Sequence, residues 1–173
     1  QSLISRLSGR KDEDIPSAKG VCIPNGFIRD DGGKHKESLT FRYENDDFVF
    51  GVDMDNTIKG SEDTLFNRSA QINEALKTSN QYPIKKVALS PNDIPAESWL
   101  FGGTQTIRNT ATGKDEKNIF YNFMLYANER DATPDKPNLN IGFGSEYKKT
   151  RYSEAQMIEI WDRLVNSLRY ICL

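Results

Sequence analysis

Residues 118–128 place the tightest limit on what this chain can fold into. Ile119, Tyr121, Phe123 and Leu125 share one parity there, and Phe120, Met124 and Tyr126 share the other. Side chains of a strand alternate between the two faces of its sheet, so a segment apolar on both parities needs cover on both sides. The chain must therefore build a sheet with a central strand and further structure above and below it. The end of the sequence supplies one such layer. Ser153 is an N-cap residue, Gln156 stands at the reciprocal capping position, and Tyr152 is placed to staple Met157. Met157, Trp161, Leu164, Leu168 and Ile171 then form a helical stripe widened by Val165, the pattern of a helix that closes its own core.

The remaining elements fit the same scheme. Leu39, Phe41 and Tyr43 alternate with Thr40, Arg42 and Glu44; Phe48, Phe50 and Val52 repeat the alternation after the turn at Asn45 to Asp47. Residues 38–44 and 47–54 thus predict an antiparallel hairpin. A helix is expected over 64–77, where Leu65, Ser69, Ile72 and Leu76 share a stripe behind acidic Glu62 and Asp63. Strands are expected at 85–89, 104–109 and 139–143, and a Pro- and Gly-punctuated loop at 90–103, pinned to the core by Trp99, Leu100 and Phe101. A short helix containing Leu3, Ile4 and Leu7 opens the chain, and Pro24 and Gly26 interrupt an apolar stretch over 21–28. Strands and helices do not alternate regularly. The expected class is α+β: an antiparallel or mixed sheet covered by helices, with a C-terminal amphipathic core helix, in one domain over 1–173.

Charge narrows the function. Lys and Arg number 23 against 25 Asp and Glu, a net charge of −2 with no long basic run. That balance gives no electrostatic case for nucleic acid or an anionic bilayer. No stretch approaches the roughly 20 apolar residues of a membrane span. Cys22 and Cys172 form no CxxC unit, and two thiols with one histidine make a poor zinc set. They form either a disulfide in an oxidising compartment or two small buried side chains in a reducing one. No cofactor is expected. The start at Gln1 is compatible with a processed, truncated or recombinant terminus, so the chain is readable as a fragment of a larger protein.

The sharpest catalytic lookalike is Asp53-Met54-Asp55-Asn56-Thr57 after the apolar run Phe48 to Val52. It resembles the nucleophile motif of haloacid-dehalogenase-like phosphatases, in which one carboxylate attacks phosphorus, the second handles the leaving-group proton and magnesium neutralises the phosphate. The rest of that machinery is not identifiable downstream, and a polar strand exit making a turn explains the same residues. His35 reads as a loop residue among Lys34, Lys36 and Glu37, and Gly142-Phe143-Gly144-Ser145 lacks the spacing of a nucleophile elbow and reads as a bulge or close turn. The chain is expected not to be an enzyme.

Three separated stretches carry a family resemblance. Ile15-Pro16 with Gly20-Val21-Cys22-Ile23-Pro24-Asn25-Gly26-Phe27-Ile28, then Ser38-Leu39-Thr40-Phe41-Arg42, and finally Gly142-Phe143-Gly144 through Ser153 to Ile160-Trp161-Asp162 and Leu168-Arg169 are the relevant residues. They resemble the C-terminal domain of the immunity proteins that inhibit type VI secretion phospholipase effectors of the fourth lipase-effector family. The resemblance implies a periplasmic or envelope protein that binds a toxic phospholipase and blocks its active-site entrance or lid. It implies core roles for Cys22, Phe27 and Trp161, to which the terminal helical stripe adds Leu164 and Leu168 as structural residues, and it transfers no catalytic residue. Candidate partner contacts are Asp53, Asp55, Asn56, Trp99, Phe101 and Arg108, since protein inhibitors project aromatic and polar residues from a rigid scaffold. A non-catalytic envelope binding protein is the bland alternative.

Overall fold

The computed structural model describes residues 2–32 and 36–170. His35, Ile171 and Cys172 lie outside the described residues. The contacts divide the chain into two units, Gln1–Lys36 with Arg169–Leu173, and Glu37–Leu168.

The smaller unit is a three-stranded antiparallel sheet. Helix α1 (Leu3–Arg6) is a single turn that runs directly into β1 (Leu7–Gly9), so Leu7 belongs to a strand rather than to the expected helix. Strands β2 (Gly20–Ile23) and β3 (Gly26–Arg29) form a hairpin, and the order is β1-β3-β2. Asn25 turns it with a φ of 56°, a left-handed conformation that asparagine tolerates. Phe27 and Ile28 are buried, and Cys22, half-buried opposite Phe27, is disulfide-bonded. Buried Arg6 donates to the Arg29 carbonyl at 3.0 Å. Arg10 fans across the carbonyls of Lys11, Asp12, Asp14 and Gly26, which holds the long β1–β2 connection without secondary structure.

The larger unit holds a six-stranded, wholly antiparallel sheet ordered β4-β5-β9-β8-β7-β6. Its strands are β4 (Ser38–Glu44), β5 (Val49–Asp55), β6 (Gln81–Leu89), β7 (Ala96–Arg108), β8 (Asp115–Ala127) and β9 (Asn138–Gly144). The expected hairpin at 38–54 is present as β4–β5, paired throughout from Ser38↔Asp55 to Glu44↔Val49. The alternation at 118–128 is present as β8, an interior strand between β9 and β7.

Each face of β8 finds cover over its second half, where Phe123, Leu125 and Ala127 are buried, while Ile119 nearer its start is 53 % exposed. Helix α3 (Glu154–Asn166) lies over one face, where Trp161 stacks on Phe143 and meets Phe123 edge-on while its indole N–H donates to Ser98 at 3.3 Å. The capping box forms as expected: the Ser153 N–H donates to Gln156 at 2.9 Å and the Gln156 N–H to the Ser153 hydroxyl at 3.4 Å. Met157, Trp161 and Val165 are the buried stripe; Leu164 is half-buried. The helix stops at Asn166, so Leu168, also half-buried, follows the helix instead of extending its stripe. Helix α2 (Ser69–Thr78) and the turn ahead of it cover the opposite face, packing Leu65 and Phe66 of the turn and Ile72 and Leu76 of the helix with Trp99, Phe101, Met124 and Tyr126.

Two expectations need correcting. Residues 96–103 are not a loop but the first half of β7, with Ser98 and Leu100 on the α3 face and Trp99 and Phe101 on the α2 face. The regular helix starts at Ser69 and residues 65–68 are a turn ahead of it, whose leading backbone donors are taken by two distant carboxylates. Glu129 accepts the Leu65 N–H at 2.8 Å and Glu97 the Phe66 N–H at 2.6 Å.

Candidate functional site

Helix α2 covers only the β6–β7–β8 part of its face. In antiparallel pairs, directly opposed residues share a face. Following Asp53↔Asn140, Gly51↔Gly142 and Gly144↔Asn122 across β5, β9 and β8 therefore traces one continuous surface beyond the helix. It is a shallow trough of about 680 Å3, floored by Gly51, Gly142 and Gly144 and rimmed by Arg42, Asp53, Gln105, Asn122, Asn140 and Glu146. Volumes of this order, roughly 300–1,000 Å3, are typical of ligand sites, although this one is open rather than enclosed.

The segment after β9 forms one wall. Its backbone is held from the β7–β8 ribbon: Gln105 donates to the Glu146 carbonyl and Asn118 to the Lys148 carbonyl at 3.0 Å. Glu146 adopts a φ of 45° there, and its carboxylate meets Arg42 of β4. Arg42 donates to Glu146 at 3.2 Å and to Glu44 at 3.1 Å, and these bonds raise the pKa of its guanidinium. The next residue, Tyr147, is 81 % exposed.

The three floor glycines differ in what the fold requires of them. A Cβ on Gly144 would lie 2.3 Å from the Tyr121 carbonyl oxygen, so close backbone approach demands glycine, although β9 pairs regularly and has no bulge. A Cβ on Gly142 would meet nothing within 4 Å, and one on Gly51 only an ordinary contact at 3.7 Å. Glycine inside a strand weakens it, and neither residue is needed by the packing around it.

The trough gathers one of the six candidate contacts. Asp53 is exposed on its rim and accepts the Thr40 hydroxyl at 2.6 Å. Asp55 caps a turn at the end of β5, accepting the Thr57 N–H at 2.7 Å, and the Thr57 bonds hold its carboxyl below the ordinary carboxylate range. Asn56 closes the same end by accepting the Glu37 N–H at 2.8 Å and donating its own N–H to the Glu37 carbonyl. Arg108 is exposed at the tip of the β7–β8 ribbon, opposite Asp115. Trp99 and Phe101 are each 2 % exposed within the α2 core and offer a partner no surface in this conformation.

Asp53-x-Asp55 does not occupy the context of a phosphatase motif. Open sheets bind ligands at the carboxyl ends of parallel strands around a topological switch point, and β5 has only antiparallel neighbours. A second concavity of about 260 Å3 is lined by Thr64, Glu97, Tyr126 and Glu129, but both of its glutamates are bonded to the backbone ahead of α2. Among the described residues no helix is long and apolar enough to cross a membrane.

Sequence reasoning missed Gly51, Gly142, Asn122, Asn140 and Glu146. Gly51 and Gly142 carried one signal, glycine inside an apolar strand, which acquires meaning only when register sets them opposite each other; Asn122, Asn140 and Glu146 carried none.

A family model for the Tle cognate immunity protein 4 C-terminal domain matches residues 14–171. No curated protein matches the chain. The apo structure of the T6SS immunity protein TplEi from Pseudomonas aeruginosa superposes with a TM-score of 0.74 at 20% identity, covering 98% of this chain and 55% of that one. The Tle4–Tli4 complex gives 0.69 at 21% identity, covering 98% and 56%. TplEi from the same organism complexed with an "L" peptide gives 0.68 at 20% identity, covering 99% and 60%. At these identities the likeness establishes the fold, and the chain spans little more than half the length of the solved relatives it matches.

Proposed function

Since the chain belongs to the Tle cognate immunity protein 4 C-terminal domain family, we propose that it binds a cognate type VI secretion phospholipase and inhibits it by blocking its active-site entrance or lid. The family match over residues 14–171 carries this reading. The partners named for the solved relatives, Tle4 and an "L" peptide, belong to those proteins and support a protein ligand here by analogy. The chain acts by occupancy and performs no catalysis. The disulfide at Cys22 favours an oxidising compartment, and with the family it supports action in the periplasm or envelope. Residues 1–173 act as one immunity domain that includes both contact units.

Cells that export a cognate type VI secretion phospholipase provide the test. Growth should be restored when the chain is exported with the lipase and not when it is retained in the cytoplasm. Lipase recovered from the protected cells should have an unchanged intact mass, because inhibition leaves no covalent mark. Undiminished toxicity in the presence of exported, folded chain would overturn the proposal.

A further inference from the structure

We propose that the glycine-floored trough on the open part of the α2 face receives an extended, lysine- or arginine-bearing loop of the cognate lipase. This inference rests on the function proposed above and assigns it a surface. Three observations converge on that occupant.

The first is steric. Gly51 and Gly142 face each other across β5 and β9 with extended backbones that any residue could adopt, and Cβ atoms would fit at both. Their retention leaves bare peptide at the floor, which lets another backbone approach as closely as strand glycines allow.

The second is hydrogen bonding. The Asn122 side-chain amide is exposed and has no hydrogen-bond partner among the described residues, and the Asn140 amide donates only a 3.4 Å bond to the Tyr126 hydroxyl. A primary amide presents a donor and an acceptor together, as a peptide group does. Two such groups beside a peptide floor match the alternating donors and acceptors of an extended polypeptide.

The third is charge. Arg42 is shared between Glu44 and Glu146, while Asp53 has no cationic partner among the described residues. On the rim itself one guanidinium stands against two carboxylates, Asp53 and Glu146, and Glu44 just outside it also holds Arg42, so a segment seated over Asp53 is favoured when it carries a cation.

Affinity for the cognate lipase decides the matter, measured for the full chain and for Gly142→Leu, Asp53→Lys and, as a charge-reversal control on the exposed face of α2, Glu74→Lys. Gly142→Leu fills the floor where the fold has room for a side chain, and its circular dichroism and melting temperature should match the parent. It should bind at least about tenfold more weakly, and Asp53→Lys at least about thirtyfold more weakly, with Glu74→Lys unchanged. Should Gly142→Leu not fold, Asp53→Lys decides alone. Parental affinity in the folded trough variants would overturn the inference and leave the proposed function standing. Failure of the parent chain itself to bind the lipase would overturn both.

Discussion

Replacing Trp161 with alanine tests whether α3 is part of the core of the larger unit. Trp161 is 2 % exposed, stacks on Phe143 at a centroid distance of 6.2 Å, and approaches Phe123 at 6.1 Å. Truncating a buried tryptophan to alanine removes its apolar burial and leaves a cavity, and together these effects cost about 3–5 kcal/mol. The lost bond to Ser98 adds little, because the Ser98 hydroxyl still donates to the Met124 carbonyl at 3.1 Å and is not orphaned. For a chain of this length each kcal/mol lowers the melting temperature by about 2–4 °C, so the drop should be roughly 6–20 °C. Urea unfolding followed by far-UV circular dichroism is the suitable assay, since removing Trp161 also changes the fluorescence signal. The midpoint should fall with an unchanged slope. Trp161→Phe, which keeps an aromatic ring against Phe143, should lose less than half as much. A loss below about 1 kcal/mol for Trp161→Ala would refute the packing described for α3. Deleting residues 153–173 is the stronger form of the same test and should abolish cooperative unfolding.

Other expectations follow from single contacts. Asp47 is 3 % exposed and accepts the Arg151 backbone N–H at 2.8 Å and three guanidinium bonds, and Arg151 holds its carboxyl below the ordinary 3.8. The lowered folded-state pKa means that this stabilisation is complete above the unfolded value and is lost as pH falls through the folded one. An acid titration of stability should therefore show a shallower loss below about pH 4 in Asp47→Asn than in the parent, and identical slopes would contradict the assignment. Glu129→Ala should cost about 1–3 kcal/mol in urea unfolding by orphaning the buried Leu65 N–H and removing one of the partners of the Arg68 guanidinium, which keeps Asp63; a change within error would reject the anchoring of the α2 approach. With two cysteines in the chain, Cys22 should pair with Cys172 in protein from an oxidising compartment, and retention of both thiol hydrogens in the non-reduced intact mass would reject the bond.

The sequence was most legible where local pattern and final contact coincide. The 38–54 hairpin declares itself by a clean period of two, and Ser153 and Gln156 satisfy each other within one turn, so neither depends on distant residues. Legibility failed where the deciding partner lies far along the chain. Trp99-Leu100-Phe101 is an unbroken apolar run flanked by Pro95, Gly102 and Gly103, which hides the alternation of β7 until cover on both faces is known. The helix expected from residue 64 begins at Ser69, and the turn ahead of it is anchored by Glu97 and Glu129, partners from other strands that local pattern does not reveal. Pro83 hid the first half of β6, an edge strand whose register shifts between Pro83 and Lys85. Asp53 could be named from its polar strand exit, but the trough around it needs β5, β9 and β8 in register.

Inhibition of the cognate phospholipase is the central claim, and stoichiometric titration tests it most directly. The cognate lipase is held at fixed concentration while the purified chain is added, with lipid hydrolysis and complex formation read from the same samples. Hydrolysis should fall linearly to zero at one chain per lipase, in step with the complex, and return when the complex is dissociated. Undiminished hydrolysis at micromolar excess with no complex would contradict the claim outright, and a stable complex that hydrolyses lipid at the free rate would keep the partner while contradicting inhibition.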